Sequence, residues 1–95
     1  MALVEEVCMD ITVVTKSYGR ENSWAFGSCS SSQRYSSRRT YTERCCLALG
    51  EHTLTCTDSY GDGWHGGYIE IQGTKYCKNF RRGREETIDI NVIGN

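Results

Sequence analysis

The chain has 95 residues, six cysteines, no proline and a net charge of −1 from 11 basic and 12 acidic side chains. This length allows one domain with a single small core, and the balanced charge excludes the strong general attraction to nucleic acid that basic proteins show. No hydrophobic run is long enough to cross a membrane as a helix, so we expect no membrane span.

The cysteine content predicts up to three disulfides and an oxidising compartment, which makes the protein a candidate for secretion. Zinc is the competing interpretation, but no close Cys or Cys/His pair has the usual ligand spacing. The pairing stays open: Cys8 with Cys77 would tie the terminal strands, and Cys29 with one of the adjacent cysteines 45 and 46 would anchor a loop. The six candidates are Cys8, Cys29, Cys45, Cys46, Cys56 and Cys77.

Short runs of β-branched and alternating residues predict strands at 8–15, 23–27, 41–47, 52–57, 68–72, 74–78 and 86–93. Residues 1–7 are expected to form a tail or an edge strand, and 8–95 a single domain. Residues 1–10 contain Glu5 and Glu6 and lack a basic start, so they do not resemble a signal peptide. The serine-rich segment 28–40 is predicted to be a surface loop pinned by Cys29. With no helical period, the pattern predicts an all-β fold, a small antiparallel β-sandwich.

The most unusual stretch is Asp58–Tyr68, whose four glycines in eleven residues exclude a helix interior or a regular strand. Carboxylates beside aromatic rings favour carbohydrate, because sugar rings stack on aromatic faces while carboxylates bind hydroxyl groups. The candidate ligand residues are Asp58, Tyr60, Asp62, Trp64, His65 and Tyr68. The alternative is structural: Trp64 folds back into the core, and Asp58 and Asp62 accept backbone hydrogen bonds in Asx-type turns.

Calcium is a candidate cofactor of the same loop, because it prefers carboxylate and carbonyl oxygens on a sharply turning segment. Asp58, Asp62 and the following glycine match part of the EF-hand pattern, but the last ligand position holds Ile69 and no helices flank the loop. A calcium loop of another kind would use Asp58 and Asp62 with Glu21 or Glu70 brought in by the fold.

Two further patterns compete with this interpretation. The first is a local basic patch of the kind that binds heparin-like polyanions, formed by Lys78, Arg81, Arg82 and Arg84. Arg38 and Arg39 would extend this patch if the fold brought them near. A solvated turn is the simpler interpretation of that patch.

An enzyme is a further alternative, because His65 lies near Asp58, Asp62 and Ser59 in sequence. A domain this small, however, has little cleft, and the chain has no Gly-x-Ser-x-Gly motif. We therefore predict that the protein is not an enzyme.

The motifs Tyr18-Gly19-x-Glu21-x-x-Trp24 and Asp58-Ser59-Tyr60-Gly61-Asp62-Gly63-Trp64 resemble those of a small β-sandwich module of bacterial and invertebrate extracellular proteins. The layout is similar to CUB-like sandwiches, in which acidic residues of end loops hold calcium; a jelly-roll-like sandwich is the related alternative. The resemblance covers residues 8–93 and implies fold and compartment, not an activity. It departs at Lys16, where relatives carry an acid.

Together these patterns predict a secreted, lectin-like recognition module whose partner is a glycan or glycoprotein. The alternatives are a structural or adhesive module without a small ligand, and a binder of sulfated polysaccharide.

Overall fold

A computed structural model describes residues 5–94 as two four-stranded antiparallel sheets, which confirms the predicted all-β class. The strands are β1 (Glu6–Val14), β2 (Asn22–Phe26), β3 (Cys29–Ser30), β4 (Thr40–Ala48), β5 (Gly50–Asp58), β6 (Tyr68–Ile71), β7 (Thr74–Tyr76) and β8 (Glu85–Val92). A 3₁₀ turn, Gly19–Glu21, precedes β2. Within residues 5–94, no helix has the length and apolar character needed to span a bilayer.

The first sheet has the strand order β4-β1-β6-β7 and the second the order β3-β2-β5-β8. Strand β1 pairs with β4 along its whole length, from Glu6 opposite Ala48 to Val14 opposite Thr40. It begins two residues before the predicted strand, so Glu6 and Val7, which were expected to belong to a tail or an edge strand, lie in β1. Residues 1–4 of that expected segment lie outside the described part of the chain. Strand β3 lies within the segment that the sequence predicted to be a loop.

Side chains alternate between core and solvent with the period of two that a strand requires. In β2 the residues Trp24 and Phe26 are buried, as their spacing predicted, and in β5 Leu54 and Cys56 face the same core. The core joins both sheets into one cluster around the largest buried side chains, among them Trp64, Tyr35, Phe26, Ile11, Leu54, Ile69 and Ile71.

All six cysteines form disulfides, paired as Cys8–Cys46, Cys29–Cys45 and Cys56–Cys77. Adjacent residues of a strand point to opposite faces, and Cys45 and Cys46 on β4 accordingly bond different partners. Cys29 is joined to this pair, as expected, but the suggested link from Cys8 to Cys77 is wrong. Cys8 lies directly opposite Cys46 on the neighbouring strand, whereas Cys77 reaches Cys56 on the other sheet. Two bridges therefore tie the sheets together, and one reinforces the first sheet.

The serine-rich segment is held by more than its cysteine. Tyr35 is buried, accepts a 2.8 Å hydrogen bond from Trp24 Nε1 and donates one to Glu43 Oε2. The other oxygen of Glu43 accepts bonds from the backbone N–H and the hydroxyl of Ser32. Burial, together with the bond to Glu43, raises the pKa of Tyr35 above its ordinary value of 10.0. Tyr35 therefore stays protonated and keeps the segment against the core.

The strand register brings four connections to one end of the sandwich. Val14 lies opposite both Thr40 and Tyr68, and Asn22 lies opposite Asp58. The segments that leave these positions are 15–21, 31–39, 59–67 and 77–84, which we call the loop end. All the predicted binding loops thus share one end of the molecule.

Candidate functional site

The turn after β5 is built around the carboxylate of Asp58, which is completely buried. Its Oδ2 accepts the backbone N–H groups of Gly61, Asp62 and Gly63 at 2.9, 2.5 and 2.8 Å, and its Oδ1 accepts that of Tyr60 at 3.4 Å. Burial on its own would raise the pKa of Asp58, but hydrogen bonding with Asp62 and these N–H groups outweighs it and lowers that pKa below 3.8. Asp58 is an internal support of the turn, and its burial separates it from a ligand at the surface.

Trp64 closes the same turn from inside. Its ring is fully buried, and its Nε1 donates a 3.0 Å hydrogen bond to the carbonyl of Thr57. Gly63 precedes it with a φ of +80°, and a Cβ at this position would lie 2.1 Å from the carbonyl oxygen of Phe80. The structural alternative for Trp64 is therefore what the fold shows, and its ring offers no face to a sugar.

The exposed side of the loop end contains a cleft of about 420 Å³ lined by Tyr18, Glu21, Tyr60 and Asp62. Tyr18 and Tyr60 are 58% and 73% exposed, so their rings are open to solvent. The Ser59 N–H donates to the Glu21 carbonyl at 3.0 Å and holds the two sides of the cleft together. Two aromatic rings and two carboxylates thus converge on one concave surface, a composition typical of small-ligand sites.

His65 extends this cleft. Its ring lies 5.1 Å from that of Tyr18, and its Nε2 lies 3.2 Å from Asp62 Oδ2. Three possible metal-ligand atoms lie within 4.8 Å of one another, one each from Glu21, Asp62 and His65. This spacing is close enough to hold a metal ion. Tyr18 and His65 both have left-handed backbone, with φ of 60° and 53°. Such strain costs about 1–3 kcal/mol per residue and is concentrated at functional sites.

Carboxylates in this cleft repel one another. Burial raises the pKa of Glu21 above its ordinary value of 4.5, and the neighbouring charges of Asp58 and then Asp62 raise it further, while His65 acts in the opposite sense. The pKa values of Asp58 and Glu21 thus shift in opposite directions, although the two residues are neighbours. The difference follows from hydrogen bonding, because Asp58 accepts four backbone N–H groups whereas Glu21 Oε1 is buried without a hydrogen-bond partner.

Unsatisfied polar atoms also gather here. In the described range 5–94, the buried side-chain oxygens and nitrogens without a hydrogen-bond partner are Glu21 Oε1, Asp62 Oδ1 and both amide atoms of Asn22. Asn22 is 4% exposed and lies opposite Asp58 in the β2–β5 register. Buried polar groups nearly always have partners, so this concentration distinguishes the loop end from the rest of the molecule.

The structure divides the predicted ligand residues. Tyr60, Asp62 and His65 meet at the cleft, Asp58 and Trp64 are internal, and Tyr68 lies on β6 with Lys75 Nζ 4.7 Å from its ring centre. Among the metal candidates, Glu21 joins Asp62, whereas Glu70 lines a separate cavity beside Asp10 and Thr12. Sequence reasoning did not assign Tyr18 to the site. Its only signal was its place in the motif with Glu21.

The predicted polyanion patch stays in the 77–84 connection, where Lys78, Arg81, Arg82 and Arg84 are all exposed. The fold does not bring Arg38 and Arg39 to it. They precede β4, whereas the patch follows β7, and these strands are opposite edges of the first sheet.

Comparisons of the chain with protein-family models, with curated proteins and with solved structures find no match. The resemblance to an extracellular CUB-like module therefore stays a prediction, and only the site itself indicates the function.

Proposed function

We propose that the protein is a secreted recognition module that binds carbohydrate in the cleft lined by Tyr18, Glu21, Tyr60 and Asp62. The observation that carries the proposal is the pairing of two solvent-exposed tyrosine rings with two carboxylates in one concave surface. A sugar ring has apolar C–H faces that pack on tyrosine and hydroxyl groups that donate to carboxylates. Exposed aromatic groups are favoured at binding surfaces for this combination of apolar body and polar edge.

Three disulfides are compatible with an extracellular protein, since such bridges persist in oxidising compartments. They also leave the loop end on a rigid scaffold, because two of them join the sheets. A rigid scaffold lowers the entropy that a binding loop loses when it engages a ligand. Secretion is part of the proposal because the three disulfides are compatible with an oxidising compartment.

Calcium is the cofactor that we propose for the same cleft. Glu21 and Asp62 fit a hard cation, because each has a buried carboxylate oxygen without a partner. Asp58 does not fit, since its oxygens already accept four N–H groups. Calcium would offset the repulsion between Glu21 and the neighbouring carboxylates and would offer a sugar hydroxyl an additional ligand position.

The test is a glycan array probed in calcium and in EDTA, followed by calorimetric titration of the strongest glycan. We expect Tyr60→Ala and Asp62→Asn each to weaken that affinity about tenfold or more, as for other central binding residues. Glu70→Gln is the matched control, because it removes a carboxylate outside the cleft and should leave affinity unchanged. Saturating calcium should raise the Tm by about 4 °C or more, which corresponds to roughly 1 kcal/mol for a domain of this size.

An array without signal in either condition would overturn the carbohydrate proposal and favour a structural or adhesive module. A melting temperature that is the same in calcium and in EDTA would overturn the proposal that calcium is a cofactor. Carbohydrate binding would then be judged by the array alone.

A further inference from the structure

A second cavity at the loop end has the opposite charge. It measures about 350 Å³ and is lined by Val14, Thr15, Lys16, Arg38, Arg39 and Thr40. Three of these six residues are cationic and none is acidic. In a chain whose net charge is −1, this cluster is a local arrangement and not a consequence of general basicity.

Backbone hydrogen bonds hold together the two segments that carry the three cations. The Arg38 N–H donates to the Lys16 carbonyl at 3.1 Å, and the Thr15 N–H donates to the Arg39 carbonyl at 2.9 Å. The buried hydroxyl of Thr15 donates to the Ser36 carbonyl at 2.6 Å and accepts the Arg39 N–H at 3.0 Å. The segment before β4 is therefore fixed on the segment after β1.

Gly19 permits this close approach. A Cβ at this position would lie 2.5 Å from the Ser36 carbonyl oxygen, and its N–H donates to Ser37 Oγ at 3.1 Å. Arg38 has a left-handed backbone with a φ of 55°, which is unfavourable for a side chain of this kind. The fold thus accepts backbone strain at a residue that lines the cavity.

Like charges placed together cost energy unless an anion neutralises them. Within residues 5–94, Lys16, Arg38 and Arg39 form no ion pair with a carboxylate, and all three are exposed. Guanidinium groups bind oxyanions through paired, charge-assisted hydrogen bonds, and a lysine adds a compact charge. Thr40, also in the lining, is exposed and has a hydroxyl that can donate to the same anion.

We propose that this cavity is a binding site for a tetrahedral oxyanion, a sulfate or phosphate ester carried by the ligand. Lys16 lines the oxyanion site and Tyr18, two residues later, lines the tyrosine cleft, so one short connection contributes to both. If the proposed function holds, the ligand is a glycan with an anionic ester, whose ring contacts the tyrosines. The oxyanion site itself stands on the three cations and does not require the glycan proposal.

The first experiment is a titration of the ¹⁵N-labelled protein with sodium sulfate, and separately with sodium phosphate, at constant ionic strength. We expect saturable shifts in the backbone amides of Lys16, Arg38, Arg39 and Thr40. The second experiment measures affinity for a sulfated disaccharide and for its unsulfated counterpart. Tighter binding of the sulfated form identifies the sulfate ester as the source, whereas saturation by inorganic phosphate alone identifies a phosphate.

Two variants with equal charge change separate a site from general electrostatics. Lys16→Gln/Arg38→Gln/Arg39→Gln should weaken binding of the sulfated disaccharide about tenfold or more, since charge-assisted bonds to the oxyanion are lost. Arg81→Gln/Arg82→Gln/Arg84→Gln also removes three positive charges and should change affinity by less than about twofold. Arg39→Gln alone provides the same comparison at smaller amplitude if the triple variant fails to fold.

Equal losses in the two triple variants, or sulfate shifts that map to residues 78–84, would overturn the oxyanion site. A titration in which no amide chemical shift reaches saturation would also overturn it. Failure of the proposed function is separately visible: an unsulfated sugar that does not bind, with sulfate still saturating at Lys16, Arg38 and Arg39, removes the sugar cleft and keeps the oxyanion site.

Discussion

Asp58 and Asp62 are four residues apart on one turn, yet one carboxylate belongs to the interior and the other to the surface. Asp58 is fully buried with four backbone N–H groups on its oxygens. Asp62 faces the cleft, contacts His65 and retains an unpartnered oxygen. The same residue type thus holds the turn together at the first position and remains free for a ligand at the second.

The aromatic residues of the loop divide in the same way. Trp64 fills the core beneath the turn, while Tyr60 is 73% exposed above it. The interior members fix the path of the chain, and that path presents the exterior members to solvent. Residues that look like one binding motif in sequence are therefore two layers in space, an interior layer and an exposed layer.

The largest expected effect that distinguishes these layers comes from isosteric replacement of the two aspartates. Asp58→Asn should lower the free energy of unfolding by about 2–4 kcal/mol, because a neutral amide with one acceptor oxygen replaces charge-assisted bonds to buried donors. Asp62→Asn should change it by less than about 0.5 kcal/mol, as for most surface substitutions. Urea denaturation of both variants measures the difference. Equal destabilisation would show that the aspartates belong to one layer.

A second comparison uses two glycines that both have positive φ. A Cβ at Gly63 meets the Phe80 carbonyl oxygen at 2.1 Å, whereas a Cβ at Gly66, with a φ of +91°, meets nothing within 4 Å. Gly66→Ala should therefore cost only the left-handed backbone term of about 1–2 kcal/mol. Gly63→Ala adds a clash with backbone that cannot rotate away and should cost about 1–3 kcal/mol more.

Thermal or urea unfolding of the two alanine variants measures this difference directly. Equal stabilities would mean that the connection after β7 moves freely away from the turn, and the interior layer would then be less rigid than the hydrogen bond from the Trp64 N–H to the Phe80 carbonyl indicates.

Much of the fold follows from local pattern. Alternating residues predicted β2, β4 and β5 as strands, and a strand places successive side chains on opposite faces. Opposite faces also required Cys45 and Cys46 to bond different partners. The pairing of Cys8 did not follow, because it depends on which strand lies next to β1, and that order is a property of the whole sheet.

The candidate site was less predictable for a related reason. Glycine spacing located the turn, but burial of Asp58 and Trp64 depends on the chain folding inward, which residue types alone do not specify. Tyr18 and Glu21 reach the cleft through the β2–β5 register, and Arg38 reaches Lys16 through backbone bonds between distant segments. The local sequence does not specify these contacts between distant segments.

The smallest and most specific effect concerns pH. Because the pKa of Glu21 is raised above 4.5 in the folded state, the folded protein binds this proton more tightly than the unfolded chain does. Ionisation of Glu21 therefore destabilises the fold: the cost is absent below pH 4.5 and develops as the pH rises through the folded pKa. Asp58 has the opposite linkage, since its lowered pKa gives stability that is lost as the pH falls through that folded pKa.

Glu21→Gln should consequently be more stable than the parent at pH 7, with the two unfolding curves converging near pH 4. Urea denaturation across this range, in EDTA, measures the convergence. A variant that is less stable than the parent at pH 7 would contradict the repulsion between these carboxylates. Repeating the series in calcium extends the comparison, because a cation in the cleft would stabilise the parent and not Glu21→Gln, reversing the order of the two proteins at neutral pH.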